Sequence, residues 1–167
     1  MSEVRVFEGR AIVIDQNNVD TDVLYPGAFL NIPDPELMKN HLFEGLDPTL
    51  RDQLVGDTVL VVGENFGMGS SREHVPQAMK AAGIQCVVGK SFARIFERNC
   101  VNLGLMIITA PQAAEAANPG DMVRIDAHAS TVHVGDATFD ARPLPAFMLE
   151  MIELGGLVPW AQRRVAS

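Results

Sequence analysis

Between residues 58 and 109, short apolar runs rich in β-branched residues alternate with stretches whose apolar positions recur at helical spacing, and few folds accommodate that rhythm. Thr58-Val59-Leu60-Val61-Val62, Cys86-Val87-Val88 and Met106-Ile107-Ile108 read as buried strands, bounded by Gly, Asp, Asn or Pro. An earlier run of the same kind is Gly9-Arg10-Ala11-Ile12-Val13-Ile14. In the first interval Val75, Ala78, Met79 and Ala82 share one helical face; in the second, Phe92, Ile95, Phe96, Asn99 and Leu103 do. Strand, helix, strand, helix, strand implies a partly parallel sheet joined by right-handed crossovers.

After Pro119-Gly120 the rhythm changes to short alternating runs, Met122-Val123-Arg124-Ile125-Asp126 and Thr131-Val132-His133-Val134. A helix follows near Pro145 to Leu154, with Phe147, Met148, Met151 and Ile152 on one side, and Gly155-Gly156 ends it. The mixture of crossover units and hairpins predicts a compact β/β/α or α/β domain whose sheet is flanked by helices. There is no internal repeat and no linker long enough to divide the chain, so residues 1–167 are expected to form one domain.

Composition narrows the functions open to such a domain. A net charge of −8 argues against a nucleic-acid surface, which is built from clustered Lys and Arg. No stretch approaches the roughly 18 uncharged apolar residues of a membrane span, and the start Met1-Ser2-Glu3-Val4-Arg5 lacks an apolar signal segment, so a cytoplasmic protein is expected. The two cysteines, Cys86 and Cys100, lie inside apolar runs, and His41, His74, His128 and His133 are scattered. A metal held by this chain alone is therefore not expected.

The most informative loop is Gly63-Glu64-Asn65-Phe66-Gly67-Met68-Gly69-Ser70-Ser71-Arg72-Glu73-His74, between a strand and a helix. Three glycines permit positive φ and close backbone approach, so the loop can present N–H groups to an anion at a helix start. Ser70, Ser71 and Arg72 add two hydroxyls and a guanidinium able to grip a carboxylate. The same letters also spell a capping box, Ser70-x-x-Glu73, which needs no ligand; that reading leaves Ser71-Arg72 and the preceding glycines unexplained. Gly89-Lys90-Ser91 is not a P-loop, because Ile84 stands where its first glycine belongs, and no G-x-S-x-G elbow occurs.

With these residues in view, the Gly63 to His74 stretch resembles the swivelling-domain signature of aconitase-type hydro-lyases, and Lys90-Ser91-Phe92-Ala93-Arg94-Ile95-Phe96 resembles its second signature. The Asn18-Val19-Asp20-Thr21-Asp22 turn, the Phe29-Leu30 loop and the ending from Pro143-Leu144-Pro145 through Gly155-Gly156-Leu157-Val158 are similar to the 3-isopropylmalate dehydratase small-subunit family. The resemblance covers nearly the whole chain. It implies the swivelling β/β/α domain of a two-subunit enzyme that isomerises 2- and 3-isopropylmalate by dehydration and rehydration in leucine biosynthesis. In such enzymes a 4Fe-4S cluster acts as Lewis acid on the leaving hydroxyl. The resemblance places it on a large subunit that joins this one as heterodimer or heterotetramer, and not on ligands from this chain.

By motif position the resemblance makes Ser70 the catalytic base, with its alkoxide stabilised by a helix N-terminus, Arg72 and a dry interface. Ser71 and Arg72 would hold carboxylate oxygens of a small malate-like acid. Phe29, Leu30, Asn31 and Ile32 would meet the substituent that distinguishes one malate from another. Relatives that accept an additional carboxylate use an arginine in that loop; Asn31 and Ile32 carry no cation, which favours an alkyl group, isopropyl first and a dimethylmalate next. The plain alternative is a loop before a helix start at Pro33-Asp34-Pro35. Met68 departs from many relatives, which have cysteine there, and a packing difference is expected. Asp20 and Asp22 read as turn chemistry before metal ligands, His74 as a structural or neighbour-oriented ring, Arg94 as a support for the site and Arg98 as solvated. Other functions consistent with the residues are the small subunit of a dimethylmalate dehydratase or homoaconitase, a free-standing organic-acid binding module, and an interaction domain that keeps the signatures only for packing.

Overall fold

A computed structural model describes residues 6–69 and 72–166. Seven strands among them form one sheet in the order β4-β3-β2-β1-β5-β6-β7. Strands β1 (Val6–Ile14), β2 (Thr58–Val62), β3 (Ile84–Gly89) and β4 (Met106–Thr109) run parallel; β5 (Met122–Asp126), β6 (Thr131–Val134) and β7 (Ala137–Asp140) continue antiparallel from β1. In register, Ile12 stands beside Leu60, Leu60 beside Val87 and Val87 beside Ile107. All five residues of β2 are buried, as expected of a central parallel strand covered on both faces, whereas buried and less buried residues alternate along β5 and β6. The partly parallel α/β fold expected from the alternating runs is therefore the one found.

Two short helices, α1 (Thr21–Leu24) and α2 (Pro35–Met38), lie in the long connection from β1 to β2. The crossovers are made by α3 (His74–Ala81) and α4 (Arg94–Asn102), and α5 (Pro111–Ala116) follows β4. Val75, Ala78 and Met79 of α3 are fully buried, as their spacing predicts. The face expected for α4 needs correction. Phe92 precedes the helix and sits in a bridge with Phe66, and Ile95 is 48% exposed. The buried arc centres on Phe96 and Cys100 and takes in Asn99 and Val101; at 100° per residue this leaves Ile95 outside its edge.

Helix α6 (Ala146–Leu154) turns Met151 and Ile152 inward and leaves Phe147 exposed, and it stops at Gly155 with φ +98°. A further helix, α7 (Leu157–Ala166), begins at once, which the glycine pair conceals in the sequence. Its Pro159 falls in the first turn, where a missing N–H costs nothing. Strand β7 is also illegible from its mostly exposed residues; it exists because a two-residue turn at Gly135-Asp136 folds it onto β6. No helix among the described residues is long and apolar enough to cross a membrane.

Ile12, Leu60, Met79, Met106 and Ile107 are among the largest fully buried side chains and join helix layer to sheet. Truncating Leu60 to alanine in the middle of β2 is expected to destabilise the chain by about 3 kcal/mol. Urea unfolding should register this as a lower midpoint with an unchanged slope; an unaltered midpoint contradicts the packing described.

Candidate active site

The three segments singled out in the sequence leave the C-terminal ends of β1, β2 and β3, and the structure stitches them together there. From the turn after β1, Asn18 N–H donates to Glu64 O (2.8 Å), and Asn17 Oδ1 accepts from Glu64 N–H (2.8 Å). Gly67 and Met68 N–H both donate to Val19 O, at 2.9 and 3.2 Å, and Thr21 N–H donates to Met68 O at 3.0 Å. On the other side Asn65 N–H donates to Ser91 Oγ (2.7 Å), Phe66 N–H to Ser91 O (3.2 Å), and Ala93 N–H to Phe66 O (3.0 Å). The C-terminal edge of a parallel sheet is where α/β domains gather ligand-binding loops.

The glycines of the central loop are there for closeness. Gly67 has φ +87° and a Cβ on it would collide with the Phe96 ring; Gly69 has φ +90° and its Cβ would lie 2.6 Å from Asp20 Oδ2. The Asp20 carboxylate is itself occupied in capping α1, accepting from Asp22 N–H at 2.8 Å, as turn chemistry predicted. Met68 is half-buried, with Asn65 Nδ2 3.7 Å from its Sδ.

Ser70 and Ser71 fall outside the described residues. The capping-box reading, however, fails on its other member. Helix α3 begins at His74, so Glu73 is the residue before the helix instead of its third, and among the described residues it makes no side-chain capping bond. Arg72 and Glu73 therefore both precede the helix.

Arg72 reaches back to the turn after β1. Its Nη1 donates to Asp22 Oδ1 at 2.6 Å and to Tyr25 O at 2.9 Å. Asp22 Oδ1 also accepts from Gly27 N–H at 3.3 Å. The Arg72 guanidinium beside it holds the exposed Asp22 carboxyl below its ordinary range, first through the hydrogen bond and then through charge. Both bonds use Nη1, so the Nε–Nη2 edge has no partner among the described residues, and that edge is the fork that pairs with a carboxylate.

The loop at Phe29, Leu30, Asn31 and Ile32 comes to the same place. Leu30 and Asn31 are exposed, while Phe29 stacks on His41 and, with Ile32, packs on the core. Tyr25, fully buried, donates its hydroxyl to Phe29 O at 2.6 Å, and His74 Nε2 lies 2.9 Å from Leu30 O. The neighbour-oriented reading of His74 is correct. The sequence reading did not assign Asp22 and Tyr25 to the site; nothing in a turn motif or an isolated tyrosine signals a bond to a side chain some 50 positions away. Arg94 and Arg98 are both exposed.

The donor chemistry of the described residues does not fit an iron-sulfur cluster. Cys86 and Cys100 are fully buried in the core, burial pushes both thiols well up, and no group of three or more His, Cys, Asp or Glu among the described residues is placed to hold a metal.

This fold, with its three loops converging at the sheet edge, belongs to a recognised class: residues 51–113 match the aconitase C-terminal domain. The chain is 44% identical over 160 residues to the 3-isopropylmalate dehydratase small subunit of Caldanaerobacter subterraneus subsp. tengcongensis, covering 95% of this chain and 99% of that protein. It is also 44% identical over 160 residues to the 3-isopropylmalate dehydratase small subunit 1 of Methanopyrus kandleri, covering 95% and 94%. The crystal structure of a 3-isopropylmalate dehydratase from Methanocaldococcus jannaschii superposes with a TM-score of 0.90 at 35% identity, covering 97% of this chain and 96% of that one. The chain belongs to the 3-isopropylmalate dehydratase small-subunit family.

Because the folded value of Asp22 is depressed, the pairing contributes fully to stability above about pH 4 and is lost as the pH falls through the folded value. Carboxyl NMR should find Asp22 titrating below the ordinary aspartate range, and returning to it in Arg72→Gln. Ordinary titration in both proteins rules the pair out in solution.

Proposed function

We propose that this chain is the small subunit of a 3-isopropylmalate dehydratase, a hydro-lyase of leucine biosynthesis that acts together with a large subunit. The observation that carries this reading is the full-length identity to small subunits of that name, joined to the convergence of the three signature loops at one sheet edge. The dimethylmalate, homoaconitase, binding-module and interaction-domain alternatives are not favoured by those relatives.

In this reading Ser70 is the base that removes the proton beside a substrate carboxylate. Two residues on, Arg72 supplies the nearby cation that lowers the cost of an alkoxide, and it is held in place by Asp22 and Tyr25 O. The Nε–Nη2 fork of Arg72 takes a substrate carboxylate, with Ser71 as a further donor. Leu30 and Asn31, the exposed part of the loop, face the alkyl substituent, with Phe29 and Ile32 behind them. A loop with no cation suits an isopropyl group, since a second buried carboxylate there would be unpaired.

The 4Fe-4S cluster is assigned to the large subunit, in keeping with two core-buried thiols here. The assembly is a heterodimer or heterotetramer of the cytoplasm, and the site is completed only across the subunit boundary.

Anaerobic co-expression with a cluster-bearing large subunit, assayed for alkene-acid formation from isopropylmalate, dimethylmalate and homocitrate, tests this. Activity should require both chains and prefer isopropylmalate. Ser70→Ala should lower turnover by about two orders of magnitude or more while subunit assembly, followed by size-exclusion chromatography, is unchanged. Turnover at the wild-type rate refutes the assignment of the base.

A further inference from the structure

The loop that carries Leu30 and Asn31 is gripped at two consecutive carbonyls, and neither grip comes from the loop itself. Its own backbone bonds are local: Phe29 N–H to Pro26 O, Leu30 N–H to Gly27 O and Ile32 N–H to Phe29 O, at 3.1 to 3.2 Å. Two side chains add to these: the Tyr25 hydroxyl, from just before the loop, on Phe29 O, and His74 Nε2, the one long-range restraint of the two, on Leu30 O. A carbonyl only accepts, so Nε2 carries the hydrogen.

Tyr25 and His74 act as one piece. Their rings stack with centroids 5.5 Å apart and planes at 19°. Tyr25 is fully buried, and His74 opens a helix whose next residues, Val75 and Pro76, are buried. The backbone oxygen of the same Tyr25 accepts from Arg72. One buried tyrosine thus references both the proposed carboxylate grip, through its carbonyl, and the proposed selecting loop, through its hydroxyl and its stacked histidine.

A ring present only to fill space would be better apolar. His74 Nδ1 is buried with no hydrogen-bond partner among the described residues, and an unpaired buried acceptor is unfavourable. The polar ring is explained by what Nε2 does at the other end.

We infer that His74, with Tyr25, is a specificity-positioning residue. By holding the Leu30 carbonyl it fixes how far the exposed Leu30 and Asn31 side chains stand from Arg72, and so which alkyl substituent fits between. It acts through Leu30 and not on the reacting atoms. The inference rests on the dehydratase reading above.

The test uses the assembled two-subunit enzyme and compares kcat and KM for 3-isopropylmalate and 2,3-dimethylmalate. His74→Phe keeps a ring on Tyr25 and removes the N–H; loss of one net hydrogen bond corresponds to about a fivefold change. KM for 3-isopropylmalate should rise about fivefold with a smaller change in kcat, and the preference for isopropylmalate in kcat/KM should shrink by about the same factor. Tyr25→Phe, which loses only the hydroxyl, should move the preference in the same direction. His74→Gln, which restores an N–H toward that carbonyl, should recover most of it. An unchanged preference in both phenylalanine variants overturns the inference, as does an equal loss of kcat on both substrates. If His74→Phe does not assemble, Tyr25→Phe decides alone. A wild-type complex that does not dehydrate isopropylmalate defeats the dehydratase reading and this inference with it; an active wild type with unmoved variants defeats the inference only.

Discussion

The backbone hydrogen bonds that tie the turn after β1 to the loop after β2, and that loop to the segment after β3, are what the site depends on. Val19 O accepts from two consecutive N–H groups, and Ser91 holds Asn65 and Phe66 from the opposite side. These bonds exist because β1, β2 and β3 are adjacent and parallel, so that their C-terminal ends open on one edge. A main-chain network of this kind leaves side chains free for chemistry, and it demands glycine where the backbone runs tight against a neighbouring side chain. Gly67 against Phe96 and Gly69 against Asp20 meet that demand.

On this frame Arg72 is a cation with one of its three nitrogens, Nη1, already committed. Asp22 and Tyr25 O fix one end of the guanidinium, and in the proposed function that spares a substrate the entropy of ordering it. The ion pair is exposed at its carboxylate end and so adds little to folding; its value lies in orientation. The buried ring pair behind it is the apolar counterpart, since Tyr25 and His74 carry that orientation on to the loop at Leu30. The result is an edge with its loops already tied together and, among the described residues, without a group placed to hold a metal.

Where sequence and structure part, the cause is geometric. The spacing of Phe92, Ile95, Phe96, Asn99 and Leu103 is helical, but α4 starts only at Arg94, and the direction of the neighbouring sheet decides which arc is buried. Ser70-x-x-Glu73 has the letters of a capping box, yet the helix starts later than the motif requires. The glycine pair at 155 and 156 ends α6 as expected and hides α7, because a left-handed glycine stops one helix without preventing the next.

From residues alone came the parallel half of the sheet, the hairpins beyond Gly120, and the three motifs that resemble one family. The strands are encoded in periodicity along the chain, and the resemblance in the identity and order of the motif residues. Tertiary structure alone decided that Arg72 meets Asp22, that Tyr25 lies beneath His74, and that the loop at Leu30 is held from α3. Those pairs are separated by 44 to 50 positions, and no local pattern specifies which distant side chain a turn will face. Only the register of neighbouring strands brings the ends of their loops within hydrogen-bonding distance.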